Sequence, residues 1–369
     1  MVLKAKAILV GVVLVAVGLV APAYGASKVV EPGESIQAAI DAAQPGDTIV
    51  VRPGTYPESL EIRKDRIKLL GSGAVLTRPK KAPATFCNEG EEFVVGMCIV
   101  GEVNEQTFEA GRLLRGVTVD GFTMRGFGMG VFAAATRDLV VSHNVFRDNQ
   151  AYGAFALSST GAQFLYNSAR DSGFAAYYIG DSPEADATVL GNRAQGSDIG
   201  LFYRAARGAR VADNVFTGNC AGVLAASDPT IAGDLILTRN EIYDNDRFCG
   251  PEGHEDGHEG QDGEYQRAQQ AQEEEDPAFS GVGIILSGTR NVVVRRNNVW
   301  GNQPSKEADV AGGIVVLTDP FTKAVPSEIL VKRNRVFDNE PADLVWDKTG
   351  TRIRFVANHC VSSQPPGLC

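Results

Sequence analysis

Apolar and polar positions alternate in short bursts along most of this chain, and the bursts recur. In DLVVSHN from Asp138, DLILTRN from Asp234, NVVVRRN from Asn291 and EILVKRN from Glu328, apolar residues fall two apart. Leu139 and Val141, Leu235 and Leu237, Val292 and Val294, and Ile329 and Val331 therefore share one face of a strand, with polar residues on the other. A second kind of strand opens at a glycine: GVFA from Gly130, GAFAL from Gly153, GLFY from Gly200, GVLA from Gly222, GIIL from Gly283 and GIVV from Gly313. A third apolar position comes shortly after the first kind, at Phe146, Phe216, Ile242, Val299 and either Val336 or Phe337.

Each third position sits inside one repeated phrase. NVFRDN from Asn144, NVFTGN from Asn214, NEIYDN from Asn240, NNVWGN from Asn297 and NRVFDN from Asn334 are clear copies. Weaker ones start at Asn167, Asn192 and Asn358. From Asn144 the first Asn positions are spaced by 23, 25, 22, 26, 57, 37 and 24 residues, and both long intervals contain insertions. Three short strands in each 22 to 26 residues predict one turn of a right-handed parallel β-helix. The expected architecture is all-β, a single-domain solenoid of about 9–11 coils, stacked at the ordinary strand spacing of about 4.8 Å. A buried Asn tolerates left-handed backbone, and its amide donates to and accepts from copies above and below, so the Asn column is expected to be structural.

Ahead of the repeats, GESIQAAIDAAQPGDTIVV predicts a short helix over 35–43. Ser35 is its N-cap, Ile36, Ala39, Ile40 and Ala43 share a face, and a strand follows over Thr48 to Val51. Such a helix suits the end of a solenoid, where it lids the exposed core.

GESIQAAIDAAQPGDTIVVRPGTY followed by Gly-led and NxFxxN coils resembles the pectin-lyase-like superfamily of parallel β-helix proteins, most of all its NosD-type repeat members. The resemblance covers residues from about Val29 to Phe355. It implies the fold strongly and function weakly, because the superfamily includes lyases, glycoside hydrolases, uronan epimerases and many uncharacterised members. The DPHD string of the epimerases, the paired aspartates and GHG of polygalacturonase-like hydrolases, and the RxPxxR of pectate lyases are all absent.

The first residues change the compartment. Lys4 and Lys6 precede an apolar run from Ala7 to Val20 and small residues around Ala21, Ala23, Gly25 and Ala26, so residues 1–26 are expected to be a secretory signal peptide, with an uncleaved anchor as the alternative. The rest, 27–369, is expected to be exported, without a stable membrane span, and monomeric. Export makes the six cysteines readable as disulfides. Nearness in sequence favours Cys87 with Cys98, Cys220 with Cys249, and Cys360 with Cys369; a metal site is the alternative, but no two cysteines have zinc-ligand spacing.

The formal charge is −10. Ten acids against one Arg lie between Glu252 and Asp276, so the acidity is mostly one loop, and nucleic acid is not an expected partner. That loop is part of an insert at 246–280, expected to be flexible because it lacks apolar residues. Its His254, Glu255, Asp256, His258 and Glu259 could hold a cation, Ca²⁺ before others, but no cofactor is expected. Further inserts lie at 82–111, which carries Cys87 and Cys98, and at 303–312, and residues 356–369 form a C-terminal cap. Asp181, Asp228 and Asp319 read as equivalent turn residues, and His143 and His359 as surface residues.

Candidate binding residues come from the Gly-led strands. If the residue after each glycine points inward, the next points out, giving Phe132, Phe155, Tyr177 and Phe202 on successive coils, with Arg204 beside them and Arg207 and Arg210 beyond. Rings can cover the apolar faces of sugars and Arg can bind uronate carboxylates. A register shifted by one would bury these rings and expose Ala133, Ala156, Tyr178 and Tyr203 instead. A base to remove the proton beside a uronate would have to be Tyr177 or Tyr178, acting with Arg204. The expected function is therefore binding, with cleavage or epimerisation in reach, of an extracellular polysaccharide on this face. The alternative is a non-catalytic binding or structural protein of the cell surface or wall.

Overall fold

The computed structural model describes residues 25–88, 90–104, 110–227, 230–250 and 277–369. Residues 1–24 of the expected signal peptide, Asp228 and the acidic run with its His and carboxylate cluster lie outside the described residues. The chain is a right-handed parallel β-helix. Its Gly-led strands stack in ten successive parallel pairings from Leu60–Ile62 to Ser363–Gln364, which makes eleven levels among the described residues. These strands form the first face. The strands before the first Asn form the second face, and those between the two Asn positions the third.

The core is the inside of this prism. Leu139, Val141, Leu235, Leu237, Val292, Val294, Ile329 and Val331 are all buried, as the alternation requires. Phe146, Phe216, Ile242, Val299 and Val336 point inward from the third face, so Phe337 points outward. Each such apolar side chain gains about 1.5–3 kcal/mol on burial. The opening glycines follow from this filling. A Cβ on Gly130 would sit 2.5 Å from the ring of Phe146, and one on Gly222 would sit 2.4 Å from Ile242 Cγ2.

The Asn column is a hydrogen-bonded ladder. Asn214 Nδ2 donates to Asn240 Oδ1 at 2.9 Å and to the Val189 carbonyl at 3.0 Å, and its own Oδ1 accepts from the backbone and amide of Asn192. The same pattern runs from Asn144 to Asn358. A second ladder joins Asn219, Asn245, Asn302 and Asn339. The left-handed backbone does not fall on the Asn, as expected, but on the residue before it. His143, Asp213, Arg239 and Arg296 precede the first Asn with φ between 53° and 57°, and Asp148, Asp244 and Asp338 precede the second. Asp tolerates this conformation, and the buried Asn keeps its side chain free for the ladder.

The N-terminal helix is Ile36–Ala42. Ser35 caps it by accepting from the Ala38 N–H, and Glu58 of the next coil accepts from Ile36 and Gln37. Ile36 and Ile40 plug the N-terminal end of the core. All three expected disulfides are present.

Candidate functional site

The outer surface of the first face is a second hydrophobic layer. One outward row reads Cys98, Phe132, Phe155, Tyr178, Phe202, Leu224, Ile285 and Val315 on consecutive strands. Three of the four expected rings stand in it. Tyr177 does not: it pairs with Ala154 and Leu201, is fully buried, and donates its hydroxyl to the Arg193 carbonyl inside the prism. Tyr178 takes its place. The error arises because Ala176, not Ala175, stands where other coils have glycine. Its level is lined by Ala169 and Ala194, where Phe146 and Phe216 crowd the neighbouring coils, so a methyl is tolerated.

The rings pack against one another. Phe132 and Phe155 are parallel at 5.3 Å between centroids, and Phe155 and Tyr178 at 4.2 Å. Both faces of Phe155 are therefore covered, and the row presents ring edges outward. Phe202 breaks the stack, its plane turned 81° from that of Tyr178. Phe132, Phe155 and Phe202 are half-buried and Tyr178 is 3% exposed, so the row is a packed wall rather than an open shelf.

Polar groups gather at one edge of this wall. The Tyr178 hydroxyl donates to Asp181 Oδ2 at 2.7 Å, and Arg204 Nη1 lies 3.4 Å from both Asp181 oxygens. Burial and then the Asp181 charge push the Tyr178 phenol well above its ordinary range. It is a hydrogen-bond donor and cannot serve as a base near neutral pH. Asp181 sits one residue past the strand position of Gly180 and Arg204, whereas Asp319 is two past the equivalent Leu317, so the two are not equivalent turn residues. Arg207 and Arg210 leave the site: the chain turns the corner at Ala205 and Gly208, Arg207 pairs with Asp234 at 2.6 Å, and Arg210 lies on the second face.

Two inserts bracket the wall. The expected insert at 82–111 is not one continuous insertion, because Val95–Val100 inside it is a regular strand of the first face. Cys98 on that strand is a member of the row, and its disulfide to Cys87 pins the preceding loop there, with Phe86 6.5 Å from Phe132. On the other side, Cys220 is bonded to Cys249 in the short strand Phe248–Cys249, which pairs antiparallel with Phe279 and Ser280. The described ends of the second insert, 246–250 and 277–280, are thereby joined to each other and to the start of the strand that carries Leu224.

Sequence reasoning missed Asp198. Its carboxyl lies within 4.8 Å of the Cys220 and Cys249 sulfurs. Those sulfurs are bonded to each other and are not thiolate ligands, so the cluster is no metal site. Burial desolvates the carboxyl and pushes it up to about 7, against a smaller opposing pull from Arg247. Only the position betrays it: other coils have Gly128, Ala151 and Phe174 before the strand. His143, by contrast, is exposed on the second face, 2.8 Å from Asp120 and stacked on Tyr166.

The family model described as "Right handed beta helix region" matches residues 129–264. Among solved structures, the periplasmic alginate epimerase AlgG superposes with a TM-score of 0.52 at 15% identity, over 89% of this chain and 83% of that one. The Azotobacter vinelandii mannuronan C-5 epimerase AlgE6 A-module superposes with a TM-score of 0.50 at 16% identity, over 89% and 92%. At these identities the likeness concerns fold. It agrees with the resemblance to the pectin-lyase-like superfamily. No curated protein matches the sequence.

Proposed function

We propose that this right-handed parallel β-helix is an exported protein that binds a polysaccharide on its first face, around Phe202, Arg204, Asp181 and Tyr178. The observation that carries the reading is the ring wall of Phe132, Phe155, Tyr178 and Phe202, ending in an Arg–Asp pair and bracketed by two disulfide-pinned inserts. Phe202 breaks the stack, and Arg204 offers N–H groups suited to a carboxylate or to sugar hydroxyls. Disulfides support export, since they persist in oxidising compartments. No helix among the described residues is long and apolar enough to cross a membrane. Proteins of like fold named as alginate and mannuronan epimerases support a glycan as the ligand class.

Binding is favoured over bond-breaking at this spot because Tyr178, Asp181 and Arg204 bond one another and Tyr178 is held protonated. One observation favours a catalytic reading: Asp198, poised near neutrality, is the carboxyl best suited to take and return a proton. The test is a panel of uronate-containing and neutral polysaccharides, read by affinity-gel retardation and by ultraviolet absorbance of unsaturated products. Retardation that Phe202→Ala abolishes supports the binding face; no retardation by any glycan removes it. Product formation that Asp198→Asn stops would replace binding with catalysis.

A further inference from the structure

The third face carries an outward row that neither the core nor the ring wall uses. Arg125, Arg147 and Arg170 are direct neighbours on adjacent parallel strands. The row continues through Gln195 and Thr217 into Tyr243, Trp300 and Phe337. Eight consecutive strands at about 4.8 Å give a strip roughly 34 Å long.

Like charges directly opposite on neighbouring strands are destabilising. Yet no carboxylate among the described residues forms an ion pair with any of the three arginines, and their one side-chain hydrogen-bond partner among those residues is Gln195, which accepts from Arg170 at 2.8 Å. Asp148 and Asp171, which follow two of them, have left-handed backbone and pair with none of the three. At the other end, Tyr243 and Trp300 are parallel at 4.5 Å, and Trp300 and Phe337 at 6.0 Å. Stacked rings turn their edges to solvent, and the edge is the positive part of the ring quadrupole. Exposed Arg335 stands two residues before Phe337 on the same strand, in a column that also holds Asn298 and Glu241, where Asn298 donates to the Glu241 carboxylate at 2.7 Å. The arginine half of the strip thus favours negative charge, on a chain whose net charge is −10, and the ring half continues it with stacked edges.

We propose that this strip is a second binding track, separate from the first face, for an extended carboxylate-bearing polysaccharide. Arg forks match carboxylates bidentately, and a linear polyuronate supplies repeated charge along a straight path that a small anion does not. A local basic strip on an acidic protein also steers a long anionic chain along its length.

The full chain should be retarded in native gels containing alginate, less so as salt rises, and much less by neutral dextran. Arg147→Ala/Arg170→Ala should weaken alginate binding about tenfold or more, a loss of about 1.4 kcal/mol for each tenfold. Trp300→Ala reports on the other half and should weaken it as well. Both changes are outward-facing, and circular dichroism melts check that the fold persists. Phe202→Ala/Arg204→Ala, which tests the first face, should leave this salt-sensitive component in place. Unchanged alginate binding in Arg147→Ala/Arg170→Ala overturns the track, as does tighter binding of single-stranded DNA than of alginate. If only Phe202→Ala/Arg204→Ala abolishes retardation, the first face alone binds and the track is refuted.

Discussion

The rings of Phe155 and Tyr178 lie parallel, 6° apart in plane and 4.2 Å apart at their centroids, and the Tyr178 hydroxyl is tied to Asp181. This pair joins the apolar wall to its polar edge. Phe155→Ala would open a cavity in the stack and cost about 3–5 kcal/mol, so it is a poor probe of binding. Phe202→Ala touches the residue that leaves the stack and should lower glycan affinity with little change in thermal midpoint. Gel retardation measured beside a melt separates the two effects.

Tyr178→Phe keeps the stack and removes only the donor to Asp181. A hydrogen bond to a charged group is worth about 1.5–3 kcal/mol. The variant should lose stability in that range in denaturant titration. An unchanged midpoint would mean that Asp181 is satisfied by Arg204 without the phenol.

Asn214→Ala should be among the most damaging single changes on the third-face corner. It leaves the amide of Asn192, the Val189 carbonyl and Asn240 Oδ1 short of partners in the buried ladder. Each orphaned buried group costs about 1–3 kcal/mol. The loss is read as a drop in denaturant midpoint, and Asn214→Asp should not rescue it because it removes both amide donors.

Asp198 predicts a pH dependence of definite sign. Its folded carboxyl titrates at about 7 against an ordinary value of 3.8. Below the ordinary value both states are protonated and the carboxyl's contribution to stability is fully present. Between the two values the unfolded chain releases its proton while the folded one keeps it, so stability falls as pH rises and the contribution is lost above about 7. Asp198→Asn, which stays neutral, should melt with wild type at pH about 4 and above it at pH about 8. Equal melting at both ends would show that the carboxyl is hydrated.

Replacing Cys220 and Cys249 by serine opens a loop of sequence separation 29, and the chain-entropy estimate of the loss is about 3–4 kcal/mol. The two sulfurs lie within 4.8 Å of the Asp198 carboxyl, so the same variant should also change the pH dependence. Melting curves across pH test both effects together.

Period and alternation in the chain were enough to determine the coil, its first Asn ladder, the inward residues of the second face and, Val336 or Phe337 apart, of the third, while helical spacing gave the lid and nearness in sequence the cysteine pairs. These are local or repeated features: a buried position must be apolar at a spacing of two, and a ladder residue must recur once per coil. The register of the first face was not legible where Ala176 replaced glycine, because Tyr177 and Tyr178 are chemically alike and only the space beside Ala169 and Ala194 chooses between them. Nor was the αL residue beside each Asn, the burial of Asp198 near the Cys220–Cys249 disulfide, or the alignment of Arg125, Arg147 and Arg170 legible. Each depends on contacts between coils some 20 or more residues apart in the chain, and such neighbours exist only once the coils are stacked.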